Sequence, residues 1–299
     1  MKLQLMKYRT IWLSIAVVFT ALSIACLATK GFNLGIDFTG GSLIDVQFEQ
    51  SVNIGDVRDI MDKQDLGNSS TIQVAGQSGK DAQAGNNIFI RTRDLNDGER
   101  TTLMKNLGDK FGQFNVLRIE KVGATVGGEL TKNALIACGI SLVLILLYIS
   151  ARFEYRFAVS GIITLIYNII ITMGIYSFLD GTVDSNFIAA ILTILGFSIN
   201  DTIVIFDRIR ENLKSRKPGE SLQDLVDFSI NQSLKRSIFT VAIVLFTTVA
   251  LYLFGGDTTK DLALVMTIGF SFGCITSVFV APAIWLMFKN EKPATTNQG

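Results

Sequence analysis

Residues 186–206 read NFIAAILTILGFSINDTIVIF, a run long enough to cross the roughly 30 Å of bilayer hydrocarbon as a helix. Inside it stand Asn200 and Asp201. A charged side chain facing lipid costs about 3 kcal/mol or more, so Asp201 is expected to turn toward other helices or a wet cavity and to be protonated or paired. Thr193, Asn200 and Asp207 recur every seven residues with Gly196 between them. They draw a small, polar stripe along one side of the helix, which supports the inward orientation. Two readings stay open on these residues alone: a carboxyl group that changes protonation, and a polar clamp that joins helices.

The composition around this run points to the same class. The chain is 49% hydrophobic and 18% charged. Its apolar residues are clustered, as in a multi-pass α-helical membrane protein with one soluble insert. A formal net charge of +1 gives no reason to expect nucleic acid. There is no histidine, which excludes imidazole metal sites, histidine-based triads and histidine proton relays. Proton chemistry is left to carboxylates, arginine, hydroxyls, amides or water. Cys26, Cys138 and Cys274 all fall in apolar segments, so the insert has neither a disulfide framework nor a cysteine metal cluster. No metal and no cofactor is expected.

Residues 1–10 carry Lys2, Lys7 and Arg9, and residues 11–29 form the run IWLSIAVVFTALSIACLAT. That run exceeds a typical signal-peptide core, so it reads as an uncleaved first helix. Residues 30–128 hold most of the charge and form one small domain. Ile44, Val46 and Phe48 alternate with Asp45, Gln47 and Glu49, the period of a half-buried strand. Asn53 is a candidate N-cap for a helix with Val57, Ile60 and Met61 on one face, and Gly67 is placed to end it. Residues 71–75 and 87–92 read as strands across a Gly/Ser/Asn-rich loop at 76–85. Asn96 and Glu99 have capping-box spacing before a helix faced by Leu103, Met104, Leu107 and Phe111. Residues 114–121 supply a last strand. The order β-α-β-β-α-β is ferredoxin-like, an α+β arrangement that does not by itself name a function.

Five further apolar segments at 131–150, 157–179, 186–206, 237–254 and 262–288 bring the transmembrane helices to six. Arg152 and Arg156 lie in one short connection. Arg208, Arg210, Lys214, Arg216, Lys217, Lys235 and Arg236 crowd a basic loop at 207–236. The opposite connections, 180–185 and 255–261, are acidic apart from Lys260. The positive-inside rule therefore places both termini, including the 291–299 tail, in the cytoplasm and residues 30–128 outside, in the periplasm of a bacterium. Residues 221–233 form an amphipathic helix expected to lie on the cytoplasmic surface.

No nucleotide loop, paired catalytic carboxylates or nucleophile–base pair is present, so no catalytic residue and no enzyme activity is expected. Gly40-Gly41-Ser42 precedes a strand and reads as a tight turn rather than a phosphate cradle. Asn168, mid-way along the third helix, is expected to bond to a neighbouring helix. Gly269-x-x-x-Gly273 with Ser277 reads as a close-packing face. Arg236, where the fifth helix enters the membrane, is either an interfacial anchor or a charge that approaches Asp201 when that residue ionises. One charge crossing 100 mV releases about 2.3 kcal/mol, enough to bias a two-state bundle. Ser198, Asn200 and Thr202 around one carboxylate suit a proton or a sodium ion, the proton being the simpler reading for a single acid.

Several stretches together resemble one family. These are GIDFTGGS at 35–42, VGATVGGEL at 122–130, GFSINDTIVIFDRIREN at 196–212, NQSLKRS at 231–237 and LFGG at 253–256. They are similar to the SecF branch of the SecD/SecF family of the bacterial Sec translocase, over nearly the whole chain. Ala124 stands where proline is common and Phe197 where tyrosine is common, so position 197 is given no proton-carrying role. The resemblance implies a subunit that pairs with SecD, associates with the SecYEG channel and YajC in the inner membrane, and uses the proton-motive force to move exported, unfolded polypeptide late in translocation. It also implies similarity to resistance-nodulation-division transporters. On that resemblance Asp201 is the proton-responsive carboxylate and Arg236 its basic partner. Asn200, Ser198, Thr202, Gly196, Thr193, Asn168, Asp207 and Arg208 support them, and Gly35, Asp37, Gly40 and Gly41 form the motif after the first helix. The residues alone also admit half of a small-molecule or lipid efflux transporter, or a structural channel scaffold.

Overall fold

The computed structural model describes residues 4–74 and 84–289. An apolar run without glycine or proline forms α1 (Arg9–Lys30) and ends at Gly31, whose φ of 70° favours glycine. Then come β1 (Asn33–Leu34), α2 (Ile36–Thr39), β2 (Gly41–Asn53), α3 (Ile54–Asp62), β3 (Thr71–Val74), β4 (Ala84–Thr92), α4 (Asp97–Phe111) and β5 (Phe114–Val122). The remaining elements are α5 (Ala124–Arg152), α6 (Tyr155–Phe178), β6 (Thr182–Val183), α7 (Ser185–Lys214), α8 (Leu222–Phe254), α9 (Asp257–Ile275), a π turn at Thr276–Val280 and α10 (Ala281–Phe288). Six stretches among the described residues are long and apolar enough to span a membrane: Met6–Lys30, α5, α6, α7, α8 and Thr259–Phe288. This agrees with the hydropathy reading.

The chain divides into two units, one of Phe32–Ala137 with Ser177–Ile188 and the other of the remaining described residues. In the first, strands run in the order β3-β4-β2-β5 with every neighbouring pair antiparallel, the ferredoxin-like arrangement. Alternation along β2 sends Ile44, Val46 and Phe48 into a core shared with Ile88 and Ile90 of β4, Val57 and Met61 of α3, and Leu103 and Leu107 of α4. Asn53 caps α3 by accepting from the Gly55 N–H (2.8 Å), and Asn96 and Glu99 close a full capping box on α4. Gly67 does not end α3. That helix stops at Asp62, and Asp65, with a φ of 56°, turns the chain first. Most of the loop expected at 76–85 lies outside the described residues.

In the second unit, half of the most apolar stretch of α6, of α7 and of Thr259–Phe288 is buried, against about a tenth or less for α1 and α5. The inner helices meet through small residues and rings. A Cβ on Gly174 would collide with Ser23 of α1, and one on Gly269 with Ile194 of α7. Phe157 stacks on Trp285 with ring centroids 4.8 Å apart and meets Phe206 at 5.1 Å. The stretch expected as a basic loop with a surface helix is different. α7 continues to Lys214 and α8 starts at Leu222, so most of 207–236 is helical and continuous with the spanning segments. The apolar face at Leu222, Leu225, Val226 and Ile230 is buried in protein. Asp227 accepts from the Leu5 and Met6 N–H groups (2.9 and 2.8 Å), and Asn212 donates to Ser229 (2.8 Å), which ties this part of α8 to the chain before α1 and to α7.

Gly41 tests the sheet. Its φ is 120° and an added Cβ would run into the Thr92 carbonyl, whereas a Cβ on helical Gly128 meets nothing. Gly41→Ala should cost more than about 2 kcal/mol and lower the apparent unfolding temperature in detergent, while Gly128→Ala should leave it unchanged or raise it.

Candidate functional site

The inward face of α7 carries Ile194, Ser198, Asp201, Thr202 and Ile205, all buried. Asp201 is 7% exposed. The Ser237 hydroxyl of α8 donates to its Oδ1 at 2.6 Å. Its Oδ2 is buried and has no hydrogen-bond partner among the described residues. A buried carboxyl oxygen without a partner is costly in hydrocarbon, so this atom is where a proton or a further donor is needed.

Further polar groups are buried on the helices of the same unit. Thr202 Oγ1 donates to the Ser198 carbonyl (3.0 Å) and lies 2.8 Å from Ser277 Oγ in the π turn. Asn168 of α6 makes the expected interhelical bond, donating from Nδ2 to the Gly269 carbonyl (3.2 Å). Its Oδ1 and the Ser198 Oγ are buried without a partner among the described residues. A Cβ on Gly273 would stand 3.2 Å from Asn168 Nδ2 and 3.4 Å from Ser198 Oγ, so glycine there lets the three helices close on these groups. The Gly269–Gly273–Ser277 face is thus a packing face that also brings one hydroxyl to Thr202. The π turn beside it follows a known pattern, since such turns concentrate at functional sites.

Other candidate residues stand apart. Arg236 is exposed and forms no ion pair with Asp201 within 4.0 Å among the described residues. Successive residues on a helix are 100° apart, so Arg236 and Ser237 lie on different faces, although the Arg236 charge still acts on Asp201 through space. The same geometry separates Asn200 from Asp201. Thr193, Gly196 and Asn200 are exposed on this chain, so the stripe expected to face its own helices does not. Asp207 accepts from Arg210 (2.8 Å) and Arg152 (3.5 Å), and Arg208 pairs with Glu211 (2.7 Å). Gly35, Asp37, Gly40 and Gly41 belong to the unit that holds the sheet.

Ser237 was the residue that sequence reasoning missed. It ends a series with Ser229 and Ser233 at steps of four, all three buried on α8. That spacing marks one helix face and was available in the sequence.

The model described as "Protein export membrane protein SecD/SecF, C-terminal" matches residues 102–291, and that of the "SecD/SecF GG Motif" matches residues 27–52. The chain belongs to the SecD/SecF family. It is 43% identical to the protein translocase subunit SecF of Acidaminococcus fermentans, over 97% of this chain and 98% of that one. It is 37% identical to SecF of Sebaldella termitidis, over 98% and 94%. Among solved structures it is similar to SecDF, a translocon-associated membrane protein from Thermus thermophilus, with a TM-score of 0.88 and 32% identity. A SecDF structure in a super-membrane-facing form matches at the same identity with a TM-score of 0.69. In both cases 97% of this chain is covered, and it spans 39% of the longer SecDF chain.

The Ser237–Asp201 bond has a spectroscopic signature. Ser237→Ala should shift the Asp201 carboxyl stretch, assigned by subtraction of Asp201→Asn, in infrared difference spectra. Ser237→Thr, which keeps the hydroxyl, should restore it. An unshifted band in Ser237→Ala would show that the hydroxyl is not the partner.

Proposed function

We propose that this member of the SecD/SecF family is an accessory subunit of the Sec export machinery that works with SecD and uses the proton-motive force to drive late-stage translocation across the bacterial inner membrane. The observation that carries the reading is the carboxyl of Asp201, buried on a spanning helix with one oxygen bonded to Ser237 and the other without a partner among the described residues. A neutral acid is tolerable there, whereas a carboxylate demands a further donor. Arg236, one residue from Ser237 and free of any ion pair among the described residues, is the cation at hand for the ionised state. Protonation and release at this group would alternate two helix arrangements, with about 2.3 kcal/mol available per charge at 100 mV.

The basic residues on one side of the bundle support cytoplasmic termini and a periplasmic sheet domain. ATP is absent from that side, so a gradient is the natural energy source for events there. The exposed stripe on α7 supports a SecD partner. The Asn200 side chain makes no hydrogen bond among the described residues, and an amide facing lipid is disfavoured. A second chain that covers Thr193, Gly196 and Asn200 would satisfy it. Through SecD the pair would act beside SecYEG and YajC on exported polypeptide.

The decisive experiment is late-stage export of a reporter into membrane vesicles that carry this chain with SecD, with proton and sodium gradients imposed separately. Asp201→Asn should lose only the gradient-dependent part, and the effective gradient identifies the ion. An unaltered response would make Asp201 structural. The partner surface is tested separately, since Gly196→Leu with Asn200→Leu should reduce co-purification with SecD while each chain still accumulates in the membrane.

A further inference from the structure

The glycine motif after α1 and the start of α7 are joined in one clasp. β1 pairs in parallel with β6, Asn33 opposite Thr182 and Leu34 opposite Val183. The Gly35 N–H donates to the Val183 carbonyl at 2.7 Å. Two residues on, Asp37 Oδ2 accepts from the N–H of Ser185, the first residue of α7, at 2.9 Å. Asp184 is that helix's own cap, its Oδ1 accepting from the Phe187 N–H at 2.8 Å. One of the four N–H groups that a helix start leaves unpaired is therefore satisfied by a carboxylate from a distant part of the chain, at the positive end of the helix dipole.

The backbone on either side of Asp37 is closely packed, while its bond to Ser185 lies at an exposed position. A Cβ on Gly35 would stand 3.2 Å from the Asp184 Cβ, and one on Gly40, with φ of 70°, 2.9 Å from the Ala124 Cα. Gly127 would reach within 3.0 Å of the Gly40 N. Arg91 of β4 donates to the Thr182 hydroxyl at 2.6 Å. Immediately after Gly40 the chain becomes β2, the strand bonded on both sides in the sheet. Burial pushes the Asp184 carboxyl above its ordinary range, its bond from Phe187 opposes this and the nearby Asp37 charge adds to it. The two acids therefore sense each other at the helix start.

We propose that Asp37 is a positioning residue that fixes the start of α7 to the central strand of the sheet domain, so that displacement of α7 at Asp201 is passed to that domain. The link rests on the coupling role of Asp201 argued above. α7 is one unbroken helix, and Asp201 stands about 24 Å along its axis from Ser185. A continuous helix carries axial shift or rotation along its length, and Asp37 receives it at the first N–H. The bond is directional and charge-assisted, and its loss frees α7 to move without the strand following.

The test uses the complex with SecD in vesicles and compares Asp37→Ala with Asp37→Asn, which keeps an oxygen in place to accept from Ser185. Loss of a charge-assisted bond predicts about a tenfold or larger fall in gradient-driven export for Asp37→Ala, with the ATP-driven stage and complex assembly intact, and retention within about threefold for Asp37→Asn. Hydrogen exchange separates coupling from local capping. Asp201→Asn should alter exchange of the amides at 33–41 when Asp37 is present and leave them unaltered in the Asp37→Ala background. Wild-type gradient-driven export by Asp37→Ala, equal loss in both Asp37 variants, or an exchange response that persists without Asp37 would overturn the proposal. If instead Asp201→Asn alone leaves export intact, the functional reading fails first, and the exchange comparison still decides the clasp.

Discussion

A carboxyl group carried into a membrane bundle must find its partners inside protein, and the middle of α7 is arranged around that demand. Asp201 receives one hydroxyl from α8, and Ser198, Thr202, Ser277 and Asn168 are further buried polar groups of α6, α7 and the π turn. In water such groups would exchange partners freely. In hydrocarbon each missing bond costs free energy, so helix positions that satisfy the set are few and separated. Under the proton-coupled function proposed above, a change of one proton on Asp201 would alter the number of donors required and so the balance between those positions.

Close approach of backbones makes this possible. Gly269 lies against Ile194 and Gly273 against Asn168 and Ser198, while Gly174 meets Ser23. Larger residues at these points would push the helices apart and leave the polar atoms unbonded at longer range. The sheet domain uses glycine for a different reason, since Gly40 and Gly41 adopt left-handed φ values of 70° and 120° where the chain enters β2. One residue type thus serves packing in the bundle and chain reversal at the domain's entrance.

How much of this is legible in the sequence follows from the range of each interaction. The six spans, the order of helices and strands along the chain and the capping box at Asn96 depend on neighbours within a few turns, and all three are visible as period or spacing. The inward side of α7 is not. The seven-residue recurrence of Thr193, Asn200 and Asp207 describes a stripe correctly but not which neighbour it meets, and the buried face belongs to Ser198, Asp201 and Thr202 instead. The hydrogen bond to Asp201 comes from Ser237, beside Arg236, and its signal in the sequence is only a step of four shared with Ser229 and Ser233. The continuity of α8 through 222–254 was hidden because the partners of its first turns, the backbone before α1 and Asn212 of α7, are remote in sequence.

These two faces of α7 are carried by one helix. A helix whose polar residues all faced its own bundle would change state without informing a neighbour. Here Asn200 follows Ile199 and precedes Asp201, so a rotation that improves the bonding of the carboxyl necessarily redirects the adjacent amide by the same angle. The exposed stripe of Thr193, Gly196 and Asn200 and the buried face with Asp201 are therefore fixed to each other, and a rotation of α7 would move both together. Coupling then needs no chain of side chains between the sites, only the rigidity of one helix that presents a carboxyl on one side and a small, polar contact on the other.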